Sequence, residues 1–135
     1  MMTDLQARIR SFFDGEAFAV VGASRDRAKY GNKVLRAYLQ NGLKVFPVNP
    51  RETEIEGLAA YPSLDSLPEP VHGVSIVTPP AVTDQVVGQA AAAGIRHVWV
   101  QPGAESPEAL RRAQALGLEV IADGPCALVA LGYRE

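Results

Sequence analysis

The feature that most constrains the fold is a regular alternation of short apolar runs with longer segments of helical periodicity. The apolar runs are rich in Val and Ile and lack polar alternation; they lie at residues 18–21, 44–48, 74–77, 97–100 and 118–122. Strands that are apolar throughout are covered on both faces, as in a parallel sheet. Segments with helical spacing separate the runs, chiefly at residues 32–40, 81–93 and 106–116. Strands that alternate with helices are typical of α/β proteins.

The pattern therefore predicts a Rossmann-like, doubly wound α/β fold, with a mainly parallel sheet of about five strands and helices on both faces. An amphipathic helix is expected at the start of the chain, on Leu5, Ile9, Phe12 and Phe13. Further apolar positions are expected to point inward from the next two helices, and they are Val34, Leu35, Tyr38 and Leu39 on the first and Val82, Val86, Val87 and Ala90 on the second. Within residues 51–70 we expect a short extended piece near 58–61 and a helical turn capped by Ser63, and we assign no structure to the last nine residues.

Composition limits the class of protein. A chain of 135 residues, 47% hydrophobic and 21% charged, is typical of a folded protein, and we treat residues 1–135 as one domain. A net charge of −2 argues against a nucleic-acid partner. One cysteine, Cys126, excludes an intrachain disulfide and fits a reducing compartment. No segment resembles a signal peptide or a membrane span, so we expect a cytoplasmic protein with no membrane partner.

The segments that follow the predicted strands are built from Gly, Pro and small polar residues. They lie at residues 22–24, 48–51, 78–80, 101–103 and 123–126. Ligands of open parallel sheets bind beyond the carboxyl ends of the strands. Small residues there permit a close approach of the backbone to a ligand, so we expect the binding site at this edge.

The loop after the first strand indicates a phosphate site. Gly22 allows a tight turn that directs backbone amides toward an anion at the start of the next helix. Between Ser24 and Arg36 the only acid is Asp26, against five of the chain's 13 basic residues, which are Arg25, Arg27, Lys29, Lys33 and Arg36. A pyrophosphate fits such a loop. The alternative is a solvated basic face beside a structural glycine turn.

The type of nucleotide is less strongly indicated. Gly22, Ser24 and Gly31 do not form a complete G-x-G-x-x-G motif, and the chain has no G-x-x-x-x-G-K-[ST] motif. An NAD site usually has an acid at the end of the second strand, where this chain has Asn49, with Arg51 two residues later. A neutral residue and a cation favour a phosphorylated ribose, as in NADP or coenzyme A. Arg51 as a plain surface residue is the alternative.

Four segments together resemble the small stand-alone CoA-binding proteins, which are similar to the N-terminal CoA-binding domain of the succinyl-CoA synthetase α subunit. They are Ala-Val-Val-Gly-Ala-Ser (19–24), Val-Phe-Pro-Val-Asn-Pro (45–50), Tyr-Pro-Ser-Leu (61–64) and Trp-Val-Gln-Pro-Gly (99–103). The resemblance extends over about residues 18–126, and its weight comes from the order and strand-end placement of the segments.

The resemblance implies coenzyme A, or an acyl-CoA, as a small-molecule ligand. It implies that the diphosphate lies along Gly22, Ala23, Ser24 and Arg25, with Lys33 in the same basic loop. It places the adenosine and its 3′-phosphate at Asn49, Pro50 and Arg51, and the adenine and diphosphate beside Thr78, Pro79 and Pro80. Gln101, with residues 102–103 and Pro125–Cys126, is implied on the pantetheine side.

No catalytic or metal site is predicted. His72 and His97 lie at the beginnings of strands, opposite the expected ligand, and the synthetase's catalytic histidine and ligase domain have no counterpart here. Cys126 is either a small buried residue or a thiol able to form a mixed disulfide with CoA. Glu52, Glu54 and Glu56 are expected to be solvated, and Trp99 to pack in the core.

The favoured function is therefore CoA binding without chemistry, as a carrier, a sensor or a subunit, with any protein partner left open. The alternatives are a small NADP-dependent oxidoreductase and a nucleotide-binding regulatory or interaction module.

Overall fold

The computed structural model describes residues 2–135. Its helices and strands follow one another in the order α1 (Asp4–Phe13), β1 (Ala17–Val21), α2 (Tyr30–Gln40), β2 (Lys44–Val48), β3 (Glu54–Ile55), β4 (Leu58–Ala59), β5 (Gly73–Ile76), α3 (Pro80–Ala92), β6 (His97–Val100), α4 (Pro107–Ala115), β7 (Glu119–Ile121) and α5 (Ala127–Ala130). A 3₁₀ turn at Leu64–Ser66, with Ser63 as its N-cap, lies between β4 and β5.

The central sheet has five parallel strands in the order β2-β1-β5-β6-β7. The chain goes from β1 outward to β2 and then returns to β5 on the other side of β1. This reversal of strand order creates a crevice at the carboxyl ends of β1 and β5, where ligands of doubly wound sheets bind. The predicted Rossmann-like fold is confirmed.

Helices cover both faces of the sheet because the strand residues alternate between two apolar clusters. Along β1, Ala19 and Val21 belong to the cluster under α3 and α4, whereas Phe18 and Val20 belong to the cluster under α1 and α2. Every residue of β1 is buried, as the lack of polar alternation predicted. Trp99 is fully buried in the second cluster, as expected.

The helix faces differ from the prediction at three positions. Leu5, Leu39 and Val82 were expected to pack inward but are 43%, 37% and 39% exposed. Each lies in the first or last turn of its helix. The β3–β4 hairpin was predicted only in its second strand, because two-residue strands are too short to show a periodicity. The unassigned end of the chain contains α5.

Candidate functional site

A cleft of about 790 Å³ opens at the carboxyl ends of β1 and β5. Its walls are the loops after β1, β2 and β5, the N-terminus of α2 and one side of α3. The volume is typical of a site for a small molecule. Most of the residues expected at the ligand line this cleft, and they are Gly22, Ala23, Ser24, Asn49, Pro50, Arg51, Thr78 and Pro79.

The other expected contact residues do not line the cleft. The Arg25 guanidinium lies 3.5 Å from the Glu52 carboxylate, and Lys33 Nζ lies 2.9 Å from a carboxylate oxygen of Glu135. Pro80 is exposed as the first residue of α3. Gln101 is fully buried behind the α2 side of the cleft.

Two glycines let the backbone segments around the cleft come together. Gly22 has φ +92°, and a Cβ there would collide with the carbonyl oxygen of Val77 at the end of β5. A Cβ on Gly31, in the first turn of α2, would collide with the carbonyl oxygen of Gly22. Both positions therefore require glycine, and the helix begins directly against the turn.

Two asparagine side chains hold the carbonyl groups of the loop after β1. Asn49 Nδ2 donates to the Ala23 carbonyl oxygen at 2.8 Å, and Asn32 Nδ2 donates to that of Ser24 at 2.8 Å. Asn49 Oδ1 also accepts from the Arg51 amide, so both ends of the Asn49 side chain are engaged within the protein.

Three consecutive backbone amides of the same loop lack an acceptor. Gly22 donates its N–H to the Val48 carbonyl, and the Asp26 N–H goes to Ser24 Oγ. Between them, the amides of residues 23–25 have no acceptor within the described part of the chain. Consecutive free amides beside a helix N-terminus form a concave site that favours an anion.

The charge of the basic segment is partly neutralised by the β3–β4 region. Arg25 pairs with Glu52, and the Arg27 guanidinium lies 3.4 Å from the Glu56 carboxylate. Glu54 and Glu56 are exposed, as expected, and Glu52 is half-buried. Lys29 and Arg51 line the cleft, and within residues 2–135 neither forms an ion pair. The charge facing the cleft comes from these two cations.

Sequence reasoning missed two parts of the wall. Pro62 and Ser63 follow Tyr61, whose N–H donates to the Pro47 carbonyl and whose carbonyl accepts from Asn49 N–H, so this segment continues the edge of β2. On α3, Val82, Gln85, Val86 and Gln89 line the cleft. Their i, i+3, i+4, i+7 spacing puts them on one helix face, which is a signal that the sequence contained.

A polar cluster lies next to the cleft at the ends of β6 and β7. The Tyr30 hydroxyl donates to Gln101 Oε1 at 3.1 Å and lies 2.7 Å from Cys126 Sγ. Gln101 Oε1 also accepts from the Ala127 amide, and Gln101 Nε2 is a buried donor without a partner in residues 2–135. Burial and the contact with Cys126 raise the pKa of Tyr30. Cys126 is half-buried.

The two histidines lie at the opposite end of the sheet, as expected. The rings of His72 and His97 stack at 4.3 Å between centroids, and His97 Nδ1 lies 3.1 Å from the Glu119 carboxylate. Burial lowers the pKa of His97, and the neighbouring His72 lowers it further.

Within residues 2–135 no cluster of His, Cys, Asp or Glu could hold a metal ion. In the same part of the chain, no helix combines the length and apolar character needed to cross a membrane.

Comparison with known proteins gives consistent matches. The family model of the CoA binding domain matches residues 16–132. The chain is 36% identical over 90 residues to the ADP-forming acetate–CoA ligase II subunit alpha of Pyrococcus furiosus, an overlap of 66% of this chain and 20% of that subunit. It is 32% identical over 108 residues to the ADP-forming acetate–CoA ligase II of Archaeoglobus fulgidus, or 78% of this chain and 16% of the ligase.

The chain thus spans about a fifth or less of the length of these curated relatives. A solved conserved hypothetical protein from Pyrococcus furiosus matches with a TM-score of 0.80 and 44% identity, and the match covers 85% of this chain and 98% of that one.

Proposed function

This chain belongs to the CoA binding domain family, and we propose that its cleft holds coenzyme A or an acyl-CoA by the phosphates. Membership confirms the resemblance to stand-alone CoA-binding proteins and supports CoA binding in general. The proposal concerns which residues hold the ligand and what the protein does with it.

The observation that carries the proposal is the free row of amides at residues 23–25 beside the cations of the cleft. In this arrangement the diphosphate accepts from the loop amides, with Lys29 near the start of α2 as a counter-charge. Arg51 stands beyond the end of β2, the position that faces the ribose in folds of this kind. We therefore place the 3′-phosphate at Arg51 and the adenine between Pro50 and the Thr78–Pro79 lip.

The pantetheine arm then runs past Tyr30 toward Cys126, on the side where β6 and β7 end. Asn49 takes a different part from the one implied by the resemblance. Its side chain already bonds the Ala23 carbonyl and the Arg51 N–H, so in our proposal its chief part is to shape the site.

We propose binding without chemistry for this chain by itself. The histidines, the usual general bases, are at the far end of the sheet. The chain corresponds in length to a small part of the ADP-forming ligases. It would therefore supply the CoA-holding part of a larger acyl-CoA system, or act alone as a carrier or sensor.

The test is calorimetry with CoA and dephospho-CoA on the wild type, on Arg51→Ala and on Arg111→Ala, an exposed arginine of α4 that serves as the matched control. We expect CoA to bind about ten- to a hundredfold more tightly than dephospho-CoA, since a charge-assisted contact contributes about 1.5–3 kcal/mol. Arg51→Ala removes that difference and Arg111→Ala keeps it. Equal binding of the two ligands by the wild type contradicts the role of Arg51.

Competition separates CoA from NADP as the ligand. We expect CoA to displace a fluorescent CoA analogue from the cleft and NADPH to leave it bound. Binding of NADPH with no binding of CoA would overturn the proposed function.

A further inference from the structure

The loop that faces the cleft is held by a residue behind it. Asn32 lies in the first turns of α2, is fully buried and does not line the cleft. Its side-chain amide donates 2.8 Å to the Ser24 carbonyl oxygen. A buried side-chain amide directed at a loop carbonyl determines where the rest of that peptide group points.

The planarity of the peptide bond makes this consequence specific. In a trans peptide the C=O of one residue and the N–H of the next point in opposite directions. Asn32 holds the Ser24 carbonyl and thereby directs the Arg25 N–H the other way. In the same manner Asn49, which holds the Ala23 carbonyl, directs the Ser24 N–H. These are two of the amides without a protein acceptor.

The orientation of Asn32 is fixed by a network that uses its whole amide. Its second N–H goes to Glu56 Oε2 at 3.1 Å, and its Oδ1 accepts from Arg36 Nε at 2.6 Å. Arg36 also donates to the Arg27 carbonyl, and Glu56 pairs with the Arg27 guanidinium. The three hydrogen bonds of the Asn32 amide fix its orientation, and the network reaches the surface at Arg27 and Glu56. The loop is thus fastened both to α2 and to the β3–β4 hairpin.

We propose that Asn32 is a positioning residue for phosphate recognition: it holds the Ser24 carbonyl on the α2 side of the loop, so that the Arg25 N–H on the opposite side is left for the diphosphate, while Asn49 fixes the neighbouring Ala23 carbonyl. This inference rests on the proposed function, since it concerns the same ligand. Asn32 itself makes no contact with the ligand. Its contribution is preorganisation, which lowers the free energy required to order the loop on binding.

The chain offers a matched control. Asn41 Nδ2 also donates to two backbone carbonyls, those of Ala37 and Leu131, but it lies at the C-terminal end of α2, away from the cleft. Asn32→Ala, Asn49→Ala and Asn41→Ala therefore remove the same kind of interaction at three places. Only the first two affect the loop after β1.

The experiment combines calorimetry with amide NMR on the three variants, with CoA and dephospho-CoA as the probes. We expect Asn32→Ala and Asn49→Ala to weaken binding of both ligands at least tenfold while the ratio between the ligands stays as in the wild type. On addition of CoA, the downfield shift of the Arg25 amide is lost in Asn32→Ala and that of the Ser24 amide in Asn49→Ala. Asn41→Ala retains the wild-type affinity and both shifts.

The outcomes separate the two proposals. If the wild type binds CoA and both loop variants bind it like Asn41→Ala with both amide shifts intact, the positioning role is overturned and the proposed function stands. If the wild type does not bind CoA, both fail. Should Asn32→Ala not fold, Asn32→Asp decides through the Arg25 amide, because it keeps an acceptor for Arg36 and removes the N–H that Ser24 accepts.

Discussion

The carbonyl oxygen of Gly22 occupies the space that a Cβ on Gly31 would need, so the first turn of α2 packs directly against the end of β1. In dinucleotide-binding folds one glycine of the fingerprint serves close packing between helix and strand. Here the two glycines are nine positions apart in the chain, because residues 25–29 form a longer loop before the helix begins. The contact performs the same task without the usual spacing.

Replacing Gly31 by alanine is expected to destabilise the protein and weaken CoA binding. The new methyl group meets backbone, which cannot move aside without shifting α2, and overpacking of this kind costs about 1–3 kcal/mol or more. Gly88→Ala, in the middle of α3, is the control. Its Cβ would meet only the flexible end of Arg112, and a helix-interior alanine is favoured by about 1 kcal/mol over glycine. Chemical denaturation measures the free energy of unfolding of the two variants. Equal changes in Gly31→Ala and Gly88→Ala would contradict the packing role of Gly31.

Replacing Glu52 by glutamine is expected to raise the affinity for CoA about two- to fivefold at low salt. The carboxylate holds Arg25 outside the cleft, and we expect its loss to free Arg25 for the ligand's phosphates; exposed pairs of this kind contribute about 0.2–1 kcal/mol. The gain should shrink as salt screens the charges. Calorimetry across ionic strength measures it, with Glu108→Gln on α4 as a control for net charge. A gain of the same size in the control would mean that Arg25 does not reach the ligand.

The hydroxyls of Tyr38 and Ser75 form a hydrogen bond of 2.8 Å in the fully buried centre of the fold. Tyr38→Phe or Ser75→Ala alone leaves one hydroxyl buried without its partner, which costs about 1–3 kcal/mol. The double variant removes both polar groups and should be less destabilised than the sum of the singles. A denaturation double-mutant cycle measures the coupling, and strict additivity would show that each hydroxyl finds another partner.

His97 is expected to make the protein less stable below about pH 6.5. Burial lowers its pKa in the folded state below the ordinary value of 6.5, and His72 and Arg96 act in the same direction against the opposing Glu119. Between the lowered pKa and 6.5 the unfolded chain binds more protons, so the free energy of unfolding falls as the pH falls through that window.

In His97→Gln, this contribution to the fall of the thermal midpoint at low pH should be absent. In addition, His72→Gln should raise the pKa of His97 toward its ordinary value, because it removes the neighbouring charge. NMR titration of the His97 ring measures this pKa. A value at or above 6.5 in the wild type would contradict the prediction.

The sequence was sufficient to predict the parallel sheet and the edge of the sheet at which the cleft lies. Strands β2 and β6 have the predicted ends, since a short apolar run that stops at Asn-Pro or Gln-Pro has few alternatives to a buried strand. Gly22, Arg51 and Thr78 line the cleft because the carboxyl ends of parallel strands meet at one edge. These are local properties of the chain combined with the topology that they impose.

Only the tertiary structure decided which charges face the cleft and how the loop is held. Arg25 and Lys33 meet Glu52 and Glu135, partners that are distant in the chain, and their pairing depends on where the hairpin and the C-terminus fold back. Asn32 gave no signal in the sequence, since a polar residue near a helix start is ordinary. Apolar periodicity identifies buried faces because burial repeats along an element, whereas a hydrogen bond between segments joins two particular atoms and leaves no periodic trace.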